Sequence, residues 1–408
     1  MRHSPVGLDS IAFAVPEHYV DLVDLARARG VDPAKYVDGL GVRRMGIALG
    51  HEDPVALAAN ACRRLFDKGG VDPARVGLVI VGTETAVDHS KPVAAYLHGL
   101  LGLPTACRSY ETKHACFGGT AGLVTALDWI ASGSARGRTA LVVCTDIARY
   151  ALASPGEPTQ GAGAVAMLVS ESPRLVALEP GLGGSYSRDV SDFWRPLYSK
   201  DAVVDGKLSV QCYLDALAGA YEDWERCARE AGRDPSDLAR RCYHVPYGKM
   251  AKKAHRHLST IRGLSEAEAD ASFEREVGAS LRFSAEVGNV YTGSLYLALA
   301  SLLDAEAAEL EGRRVGLFSY GSGSCAEYFA GTVLPGAARH VARLALAEPL
   351  AARRRLEIAA YEAVRRADAE VDRRPLSAAD TFTDIAFAGV SGERRVYVGG
   401  QMPPSTST

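Results

Sequence analysis

A cysteine stands at the point where an extended segment gives way to a helix. Cys116 lies between the polar run 110–114 and the apolar, helix-length run 121–130. Because backbone N–H groups and the positive end of the helix dipole favour an anion there, we expect thiolate character, and the thiolate is the nucleophilic form. Gly118 and Gly119 would let a ligand approach the backbone closely. A buried structural thiol is the common alternative, and this stretch alone does not choose between the two.

Three further polar side chains follow or precede apolar segments in positions where they could act with this cysteine. Glu84 comes just after the apolar run Val76–Val81, where α/β sheets present groups to a ligand. A carboxylate held in an apolar pocket can serve as a base and then as an acid. His244 lies between apolar neighbours, and Asn289 precedes another apolar helix. Each has a plainer explanation, namely an exposed glutamate, a core histidine or a helix cap, but their joint occurrence at element ends favours a shared site.

The predicted elements that must position these residues alternate along the chain. Continuous apolar runs typical of covered strands occur at Val76–Val81, Leu141–Cys144 and Ala164–Val169. Apolar helices follow Cys116 and Asn289. Strands that alternate with helices predict an α/β architecture.

The second half of the chain repeats the first. A turn of small residues, an apolar helix and a strand follow Cys116, and the same order follows Asn289. A repeat of this length predicts a duplicated fold, divided into residues 1–172 and 173–400. Two related halves would bring Glu84, Cys116, His244 and Asn289 together around one pseudo-two-fold axis.

Two further stretches are candidates for ligand contact. The backbone N–H of Ser322, in a glycine-rich turn, could form an oxyanion hole with that of Cys116. Lys249, Lys252 and Lys253 follow His244 closely and could bind phosphate groups, although a solvated helix face is equally possible.

Charged stretches elsewhere in the sequence are assigned no ligand. The charged stretch Ala345–Glu370, which carries Arg353–Arg355, is predicted to be helical and solvated, and Gln401–Thr408 to be disordered.

Composition excludes several classes of function. The 408 residues are 47% hydrophobic and carry a net charge of −3, which gives no basis for general nucleic-acid binding. No apolar run reaches membrane-spanning length and no apolar signal core precedes the first element, so we expect a cytoplasmic protein without membrane spans. The eight cysteines form no C-x-x-C pair, so neither a zinc site nor a redox dithiol is indicated.

Eight motifs together resemble the hydroxymethylglutaryl-CoA synthase family of the thiolase superfamily over roughly residues 5–335. They are Gly82-Thr-Glu-Thr85 with Lys91-Pro92, Lys113-His-Ala-Cys-Phe117, Asp146-Ile-Ala-Arg-Tyr150, the run 156–166, Asp192-Phe-Trp-Arg-Pro196, His244-Val-Pro-Tyr247, Val287-Gly-Asn-Val-Tyr-Thr-Gly-Ser294 and Phe318-Ser-Tyr-Gly-Ser-Gly-Ser324. The resemblance implies a five-layer αβαβα fold, a homodimer, and a cytoplasmic enzyme that could serve the mevalonate route to isoprenoids.

The resemblance also implies roles for individual residues. Cys116 matches the cysteine that carries an acetyl group, Glu84 the general acid/base, and His244 the residue that positions acetoacetyl-CoA. Asn289 matches a contact to the second substrate's thioester. Supporting pocket positions are matched by Asp146, Tyr150, Thr159 and Asp192. Lys249 and Lys253 are candidates for contact with coenzyme A.

The expected reaction joins acetyl-CoA to acetoacetyl-CoA, and it requires no metal or tightly bound cofactor. A β-branching synthase that acts on groups carried by acyl carrier proteins is the alternative. Phe117 stands where many family members have Tyr, so we expect a hydroxyl hydrogen bond to be missing. His114 replaces a Glu or Gln familiar from bacterial relatives, and we expect only a small change in loop packing. Beyond about residue 335 the resemblance fades.

Overall fold

The computed structural model describes residues 5–367 and 384–399. The strands are β1 (Gly7–Ala14), β2 (His18–Asp21), β3 (Arg44–Ile47), β4 (Val76–Gly82), β5 (Arg108–Thr112), β6 (Thr139–Ala148), β7 (Gly161–Ser170), β8 (Val176–Leu178), β9 (Gly184–Ser187), β10 (Phe193–Trp194), β11 (Val203–Val204), β12 (Arg240–Tyr243), β13 (Arg314–Gly321), β14 (Cys325–Val333), β15 (Arg354–Arg355), β16 (Ala386–Ser391) and β17 (Arg394–Val398). The helices are α1 (Leu22–Ala28), α2 (Ala34–Leu40), α3 (Pro54–Gly69), α4 (Val93–Leu100), α5 (Gly118–Ala131), α6 (Gly206–Glu230), α7 (Gly248–Ile261), α8 (Glu266–Glu276), α9 (Arg282–Val287), α10 (Ser294–Leu310), α11 (Ala337–Leu344), α12 (Glu348–Ala351) and α13 (Ile358–Ala367).

The large sheet contains the same strand pattern twice. Its order is β12-β13-β14-β8-β1-β7-β6-β4-β5, with β9 paired to β14. In the first half β4 runs parallel to β6, while β6–β7 and β7–β1 are antiparallel. In the second half β12 runs parallel to β13, while β13–β14 and β14–β8 are antiparallel. The predicted duplication is therefore confirmed, and β12 occupies the place that β4 has in the first half.

Side-chain alternation along the strands builds the layers. Ile80 and Val142 face the central cluster that includes α5 and α10, whereas Val79 and Val143 face α3 on the other side. Such runs are apolar on both faces because both faces are covered. The second half is covered in the same way, since β13 packs against α6 on one face and meets α5 on the other. The order α3, first half-sheet, α5 with α10, second half-sheet and α6 is the expected αβαβα arrangement.

The three predicted strands are confirmed, and each is longer than expected. The runs at Val76–Val81, Leu141–Cys144 and Ala164–Val169 lie inside β4, β6 and β7. The flanking residues also pair in the sheet, although their smaller or polar side chains had hidden this in the sequence. The boundary between residues 172 and 173 falls between β7 and β8 and stays a prediction.

The expectation of one solvated helix over Ala345–Glu370 is wrong. Ala345 has φ of +49° and ends α11, and Arg354–Arg355 pairs as β15 with β2. Arg353 is buried and donates from Nη1 to the carbonyl of Glu286 at 2.7 Å. Charge alone suggested solvation, and Arg354 and Arg355 are indeed exposed, but Arg353 is buried against the second half of the chain and β15 pairs with a strand of the first half. Residues 368–370 and the tail 401–408 lie outside the described residues.

No helix within residues 5–367 and 384–399 combines the length and the apolar character needed to cross a membrane.

Candidate active site

One buried carboxylate joins the two halves of the chain and positions Glu84. Asp146, in β6, accepts hydrogen bonds at Oδ1 from the Thr83 hydroxyl at 3.0 Å, the Glu84 amide at 2.9 Å and the Thr85 hydroxyl at 2.8 Å. Its Oδ2 accepts from the amide of Thr292 at 3.1 Å and from the hydroxyl at 2.5 Å. These bonds fix the segment after β4 against the turn before α10. Asp146 thus supports the site by holding the backbone on either side of it, as expected.

Glycines allow the Cys116 turn to lie directly on the sheet. A Cβ at Gly119 would overlap Sγ of Cys144, and one at Gly82 would overlap the backbone of Gly119. Ala115 has φ of +40°, a left-handed conformation that turns the chain sharply before the cysteine. The close approach therefore brings Cys116 to the end of β4, beside Glu84.

The thiol of Cys116 donates a hydrogen bond to Oε1 of Glu84 at 3.2 Å. Burial raises the pKa of Glu84 to about 8, and the nearby charge of Asp146 adds to the rise. Burial and then the charge of Glu84 raise the pKa of Cys116 well above that of an ordinary thiol. The expected lowering of this pKa by the helix end is therefore wrong, because desolvation and neighbouring carboxylates outweigh the helix dipole. The resting site therefore contains a thiol that is hydrogen-bonded to a carboxylate.

His244 follows β12 and is held from behind by Tyr213 of α6. The Tyr213 hydroxyl donates to the His244 carbonyl at 2.7 Å, and the two rings are stacked with centroids 6.3 Å apart. Burial lowers the pKa of His244 to about 3. A neutral imidazole can donate one hydrogen bond to a carbonyl oxygen without adding charge. Sequence patterning missed Tyr213, since nothing distinguishes it within its amphipathic helix.

Asn289 has a structural role of its own in the turn before α10. Its Oδ1 accepts from the amide of Tyr291 at 2.9 Å and from the hydroxyl of Ser294 at 3.0 Å. These bonds hold the turn together, but the capping explanation is wrong, because Gly293 is the residue before α10 and that helix has no side-chain cap. The NH2 group is the end of the Asn289 side chain that could donate to a ligand.

The remaining supporting residues lie in two groups next to the cleft lining. Tyr150 is an edge-on neighbour of Phe193, with ring centroids 6.5 Å apart, and the Thr159 hydroxyl donates to the Gly156 carbonyl at 2.8 Å. Asp192 is fully buried and accepts from the hydroxyl of Tyr320 at 2.8 Å.

Asp192 also holds the turn that contains Ser322. Its Oδ1 accepts from the Gly323 amide at 3.0 Å, and the imidazole of His114 hydrogen-bonds to the backbone of Ser322. His114 also packs edge-on against Phe117, with centroids 6.2 Å apart. His114 thus links the cysteine turn to the Ser322 turn, a larger contribution than the loop-packing change expected for it. The oxyanion-hole role of Ser322 stays a prediction.

A cleft of about 770 Å³ opens from this site to solvent. Its lining includes Glu84, Ala115, Arg195, Ser322, Phe387 and Arg395. Arg195 belongs to a motif noted in the sequence, and its charge lowers the pKa of Glu84 against the larger effect of burial. Phe387 and Arg395 come from the C-terminal hairpin, where the sequence resemblance had faded.

The three candidate lysines lie on α7 rather than in this cleft lining. Lys249 is exposed, and Lys253 is partly exposed. The ammonium of Lys252 lies 3.7 Å from Asp270 and 5.7 Å from the ring centroid of Phe273. Contact of these lysines with a ligand therefore stays a prediction, and it is least favoured for Lys252.

Among the described residues, no group of three or more histidine, cysteine, aspartate or glutamate side chains is arranged to hold a metal ion. The expectation that no cofactor is needed stays a prediction.

Two family models cover most of the chain. The model for the N-terminal region of hydroxymethylglutaryl-coenzyme A synthase matches residues 2–173, and the model for the C-terminal region matches residues 176–271 and 262–366.

Similar proteins include both coenzyme A and carrier-protein enzymes. The hydroxymethylglutaryl-CoA synthase of Enterococcus faecalis is 42% identical over 88% of this chain and 91% of its own. The polyketide biosynthesis 3-hydroxy-3-methylglutaryl-ACP synthase PksG of Bacillus subtilis is 33% identical over 84% of both chains.

Solved structures resemble the whole chain. MvaS in complex with 3-hydroxy-3-methylglutaryl coenzyme A has a TM-score of 0.92 at 48% identity, covering 97% of this chain and 99% of its own. The curacin biosynthetic HMG synthase with holo donor-ACP has a TM-score of 0.91 at 32% identity, covering 97% of this chain and 100% of its own. With the duplicated fold and the paired cysteine and glutamate, these matches establish that the chain belongs to the hydroxymethylglutaryl-CoA synthase family.

Proposed function

We propose that this protein condenses acetyl-CoA with acetoacetyl-CoA to give 3-hydroxy-3-methylglutaryl-CoA and free coenzyme A. The observation that carries the proposal is the 3.2 Å contact between the Cys116 thiol and the Glu84 carboxylate, which lines a large cleft. A nucleophile in hydrogen-bond reach of a base can form and resolve a covalent intermediate. Family membership supports the same chemistry.

The first half-reaction transfers acetyl to the cysteine. Cys116 passes its proton to Glu84 as its sulfur attacks the acetyl carbonyl, and the bond between that carbon and the sulfur of coenzyme A then breaks. The leaving thiolate takes the proton, which returns Glu84 to its carboxylate form. Because the pKa of Cys116 is raised, transfer of its proton to Glu84 assists the attack.

The second half-reaction forms the carbon–carbon bond. Glu84 removes a proton from the acetyl methyl group, and the resulting enolate attacks the ketone carbon of acetoacetyl-CoA. Glu84 then returns the proton to the new alkoxide, and water hydrolyses the thioester at Cys116. A pKa of about 8 suits a group that acts first as base and then as acid near neutral pH.

His244 and Asn289 serve the second substrate in this scheme. The neutral imidazole of His244 hydrogen-bonds the ketone oxygen, which stabilises the developing alkoxide without a buried positive charge. The NH2 group of Asn289 meets the thioester carbonyl, and its fixed Oδ1 sets the orientation of the amide. The N–H groups of Ser322 and Cys116 stabilise the oxyanion of the acyl-transfer step.

Coenzyme A is the proposed carrier of both substrates. The chain keeps Gly82-Thr-Glu84 and His244-Val-Pro246, which β-branching synthases often change, and the coenzyme A enzyme of Enterococcus faecalis is more similar than the carrier-protein enzyme PksG. A β-branching synthase that acts on acyl-carrier-protein substrates is the second candidate, supported by the high TM-score of the curacin enzyme. We further infer a cytoplasmic homodimer that needs no metal or bound cofactor and supplies the mevalonate route to isoprenoids.

The test is incubation with radiolabelled acetyl-CoA, followed by acetoacetyl-CoA. The protein should retain label, and the label should then appear in 3-hydroxy-3-methylglutaryl-CoA. Cys116→Ala should retain none. Label transfer only from an acetylated carrier protein would replace the proposed substrate with that of the second candidate, and no transfer from either carrier would overturn both.

A further inference from the structure

Both backbone polar groups of Tyr150 are held by side chains, one from the end of the same β6–β7 connection and one from helix α13. The Tyr150 N–H donates to Oε1 of Gln160 at 2.9 Å, and its carbonyl accepts from Nη2 of Arg365 at 3.0 Å. Nη1 of Arg365 donates to the same Oε1 of Gln160. Arg365 belongs to α13, so this C-terminal helix holds the backbone of Tyr150 in place.

A second residue of α13 completes the support. The Tyr361 hydroxyl donates to Oε1 of Glu157 at 3.0 Å and accepts from Nε2 of Gln160 at 2.9 Å. Glu157 is also bound by both Nε and Nη2 of Arg29, each at 2.8 Å. Tyr361, Glu157 and Gln160 are 0%, 1% and 2% exposed. Breaking a buried, charge-assisted network is costly, so the arrangement holds one geometry.

Tyr150, the residue that this network supports, lies near Cys116 and Glu84. Gly156 lies so close to the Tyr150 ring that a Cβ there would be 2.7 Å from Cδ1, so the ring has little freedom on that side. The Tyr150 ring packs edge-on against Phe193 with centroids 6.5 Å apart. Burial raises the pKa of its hydroxyl, and negative charge on the nearby Cys116 and Glu84 adds to the rise. A shift of the Tyr150 backbone would therefore move its hydroxyl relative to the thiol.

Arg365 reaches one more wall of the cleft. It lies 3.4 Å from Oδ1 of Asp201, in the loop between β10 and β11, whose residues Ser199 and Lys200 line the cleft. The guanidinium is only 9% exposed. One side chain thus contacts the Tyr150 segment, the Gln160 turn and this loop.

We propose that Tyr361 and Arg365 are positioning residues that fix Tyr150 beside Cys116, so that reaction at the thiol depends on helix α13. The predicted slowing of acetylation rests on the proposed function, whereas the predicted positioning of Tyr150 does not. A misplacement of about 1 Å at a reacting centre can cost on the order of 100-fold in rate, so loss of either contact should slow acetylation of Cys116 by about tenfold to 100-fold.

The experiment compares Arg365→Met and Tyr361→Phe with the control Arg366→Met. Arg366 is the next residue on the helix, but its side chain is 66% exposed. Within the part of the chain that the structure describes, it pairs with Glu362, one helical turn earlier. We expect slower acetylation from radiolabelled acetyl-CoA in the first two variants and a wild-type rate in the control. Equal rates in all three, or equal loss in the control, would overturn the proposal.

A double-mutant cycle with Tyr150→Phe separates positioning from general support of the fold. If Arg365 acts through the Tyr150 hydroxyl, Arg365→Met should change the rate much less in the Tyr150→Phe background. Additive effects would overturn the proposal. Arg365→Lys keeps the charge and should restore part of the rate. If Arg365→Met does not fold, Arg365→Lys and Tyr361→Phe are used for the test instead.

The same cycle is measured with iodoacetamide at one fixed pH, scored by mass spectrometry of the Cys116 peptide. This readout needs no acetyl-CoA. If wild-type protein fails to accept acetyl while the alkylation rates still show coupling between Arg365 and Tyr150, the proposed function fails and the positioning role stands. Additive alkylation rates would overturn the positioning role whatever the substrate.

Discussion

The Cys116 thiol donates a hydrogen bond to the Glu84 carboxylate across 3.2 Å. Burial and then the charge of Glu84 keep Cys116 from ionising, because two negative charges in a buried site repel, and the Asp146 carboxylate adds to this effect. The nucleophile and the base of the proposed reaction are therefore coupled. A change at one should be visible in the titration of the other.

This coupling predicts how Cys116 responds to pH and to loss of Glu84. The rate of alkylation by iodoacetamide should be low at neutral pH and should still be rising above pH 9, since the pKa of Cys116 is raised well above that value. Glu84→Gln removes a negative charge and the acceptor of the thiol proton, so the midpoint should move to lower pH. Peptide mass spectrometry over a pH series measures the midpoint.

The control for this titration is Glu327→Gln. Glu327 is another carboxylate with a raised pKa, caused by burial and then by the charge of Asp128, but it lies near Gly183 on the face of β14 that is turned to α5. The charges that raise the pKa of Cys116 are those of Glu84, Asp146 and Asp192 instead. Its replacement should leave the Cys116 midpoint unchanged. A midpoint near that of a free thiol in wild-type protein, or an unchanged one in Glu84→Gln, would contradict the coupling.

The sequence was sufficient to predict that these two residues meet, but not their protonation. Placement followed from strand and helix ends, which the apolar runs before Glu84 and after Cys116 reveal. The pKa depends on what surrounds the thiol in three dimensions. The carboxylates of Asp146 and Asp192, 30 and 76 positions further along the chain, both raise it. No local pattern around the cysteine contains that information.

The close packing of the Cys116 turn predicts a sharp difference between two glycines. Gly119→Ala would force a methyl group against Sγ of Cys144 and should destabilise the fold by about 1–3 kcal/mol. Gly99→Ala, in α4, meets nothing within 4 Å and should be neutral or stabilising by up to about 1 kcal/mol. Urea unfolding measures both values. Similar effects of the two changes would mean that the turn is not tightly packed.

The C-terminal part of the chain shows where sequence reasoning fell short. Arg353 and Arg365 look solvated in a charged stretch, yet their side chains are 1% and 9% exposed. Their partners, Glu286 and Tyr150, lie far away in sequence, so only the folded chain reveals the need for them. The hairpin of β16 and β17 likewise lines the cleft although it lies beyond the residues that the family models match.

The lysines of α7 give a prediction about substrate affinity. If Lys249 and Lys253 contact the phosphates of coenzyme A, Lys249→Ala and Lys253→Ala should raise KM for the coenzyme A substrates more than they lower kcat. Lys252→Ala should have less effect, because its ammonium already lies near Asp270. Steady-state kinetics at physiological salt provides the measurement.

A matched control for the lysine series is Lys68→Ala. Lys68 is in the last turn of α3 and pairs with Glu348, whereas the cleft meets the first turn of that helix. Its KM values should equal those of the wild type. If Lys249→Ala and Lys253→Ala also keep wild-type KM values, the lysines form only a solvated face.

The pH dependence of condensation should report Glu84. Condensation needs the carboxylate as base, so its rate should rise with pH up to about 8 and fall about tenfold per pH unit well below it. His244 should not contribute a titration in this range, because burial lowers its pKa to about 3. Single-turnover rates of pre-acetylated enzyme with acetoacetyl-CoA measure this profile; a flat profile between pH 6 and 8 would assign the proton removal to another group.

The two half-reactions should separate in variants of Glu84 and His244. Glu84→Ala loses the base but also the charge that raises the pKa of Cys116, and the two effects oppose each other in acetylation. Acetyl-enzyme should therefore still form, whereas condensation and exchange of the acetyl methyl protons with solvent deuterium should fall by about 10²–10⁴-fold. His244→Ala should accept acetyl and exchange methyl protons normally but should bind acetoacetyl-CoA poorly, since the imidazole meets only the second substrate. The measurement is a burst of labelled acetyl-enzyme together with methyl exchange and product formation for each variant. Condensation by Glu84→Ala at a near wild-type rate would show that another base takes the methyl proton, and loss of methyl exchange in His244→Ala would identify His244 as that base.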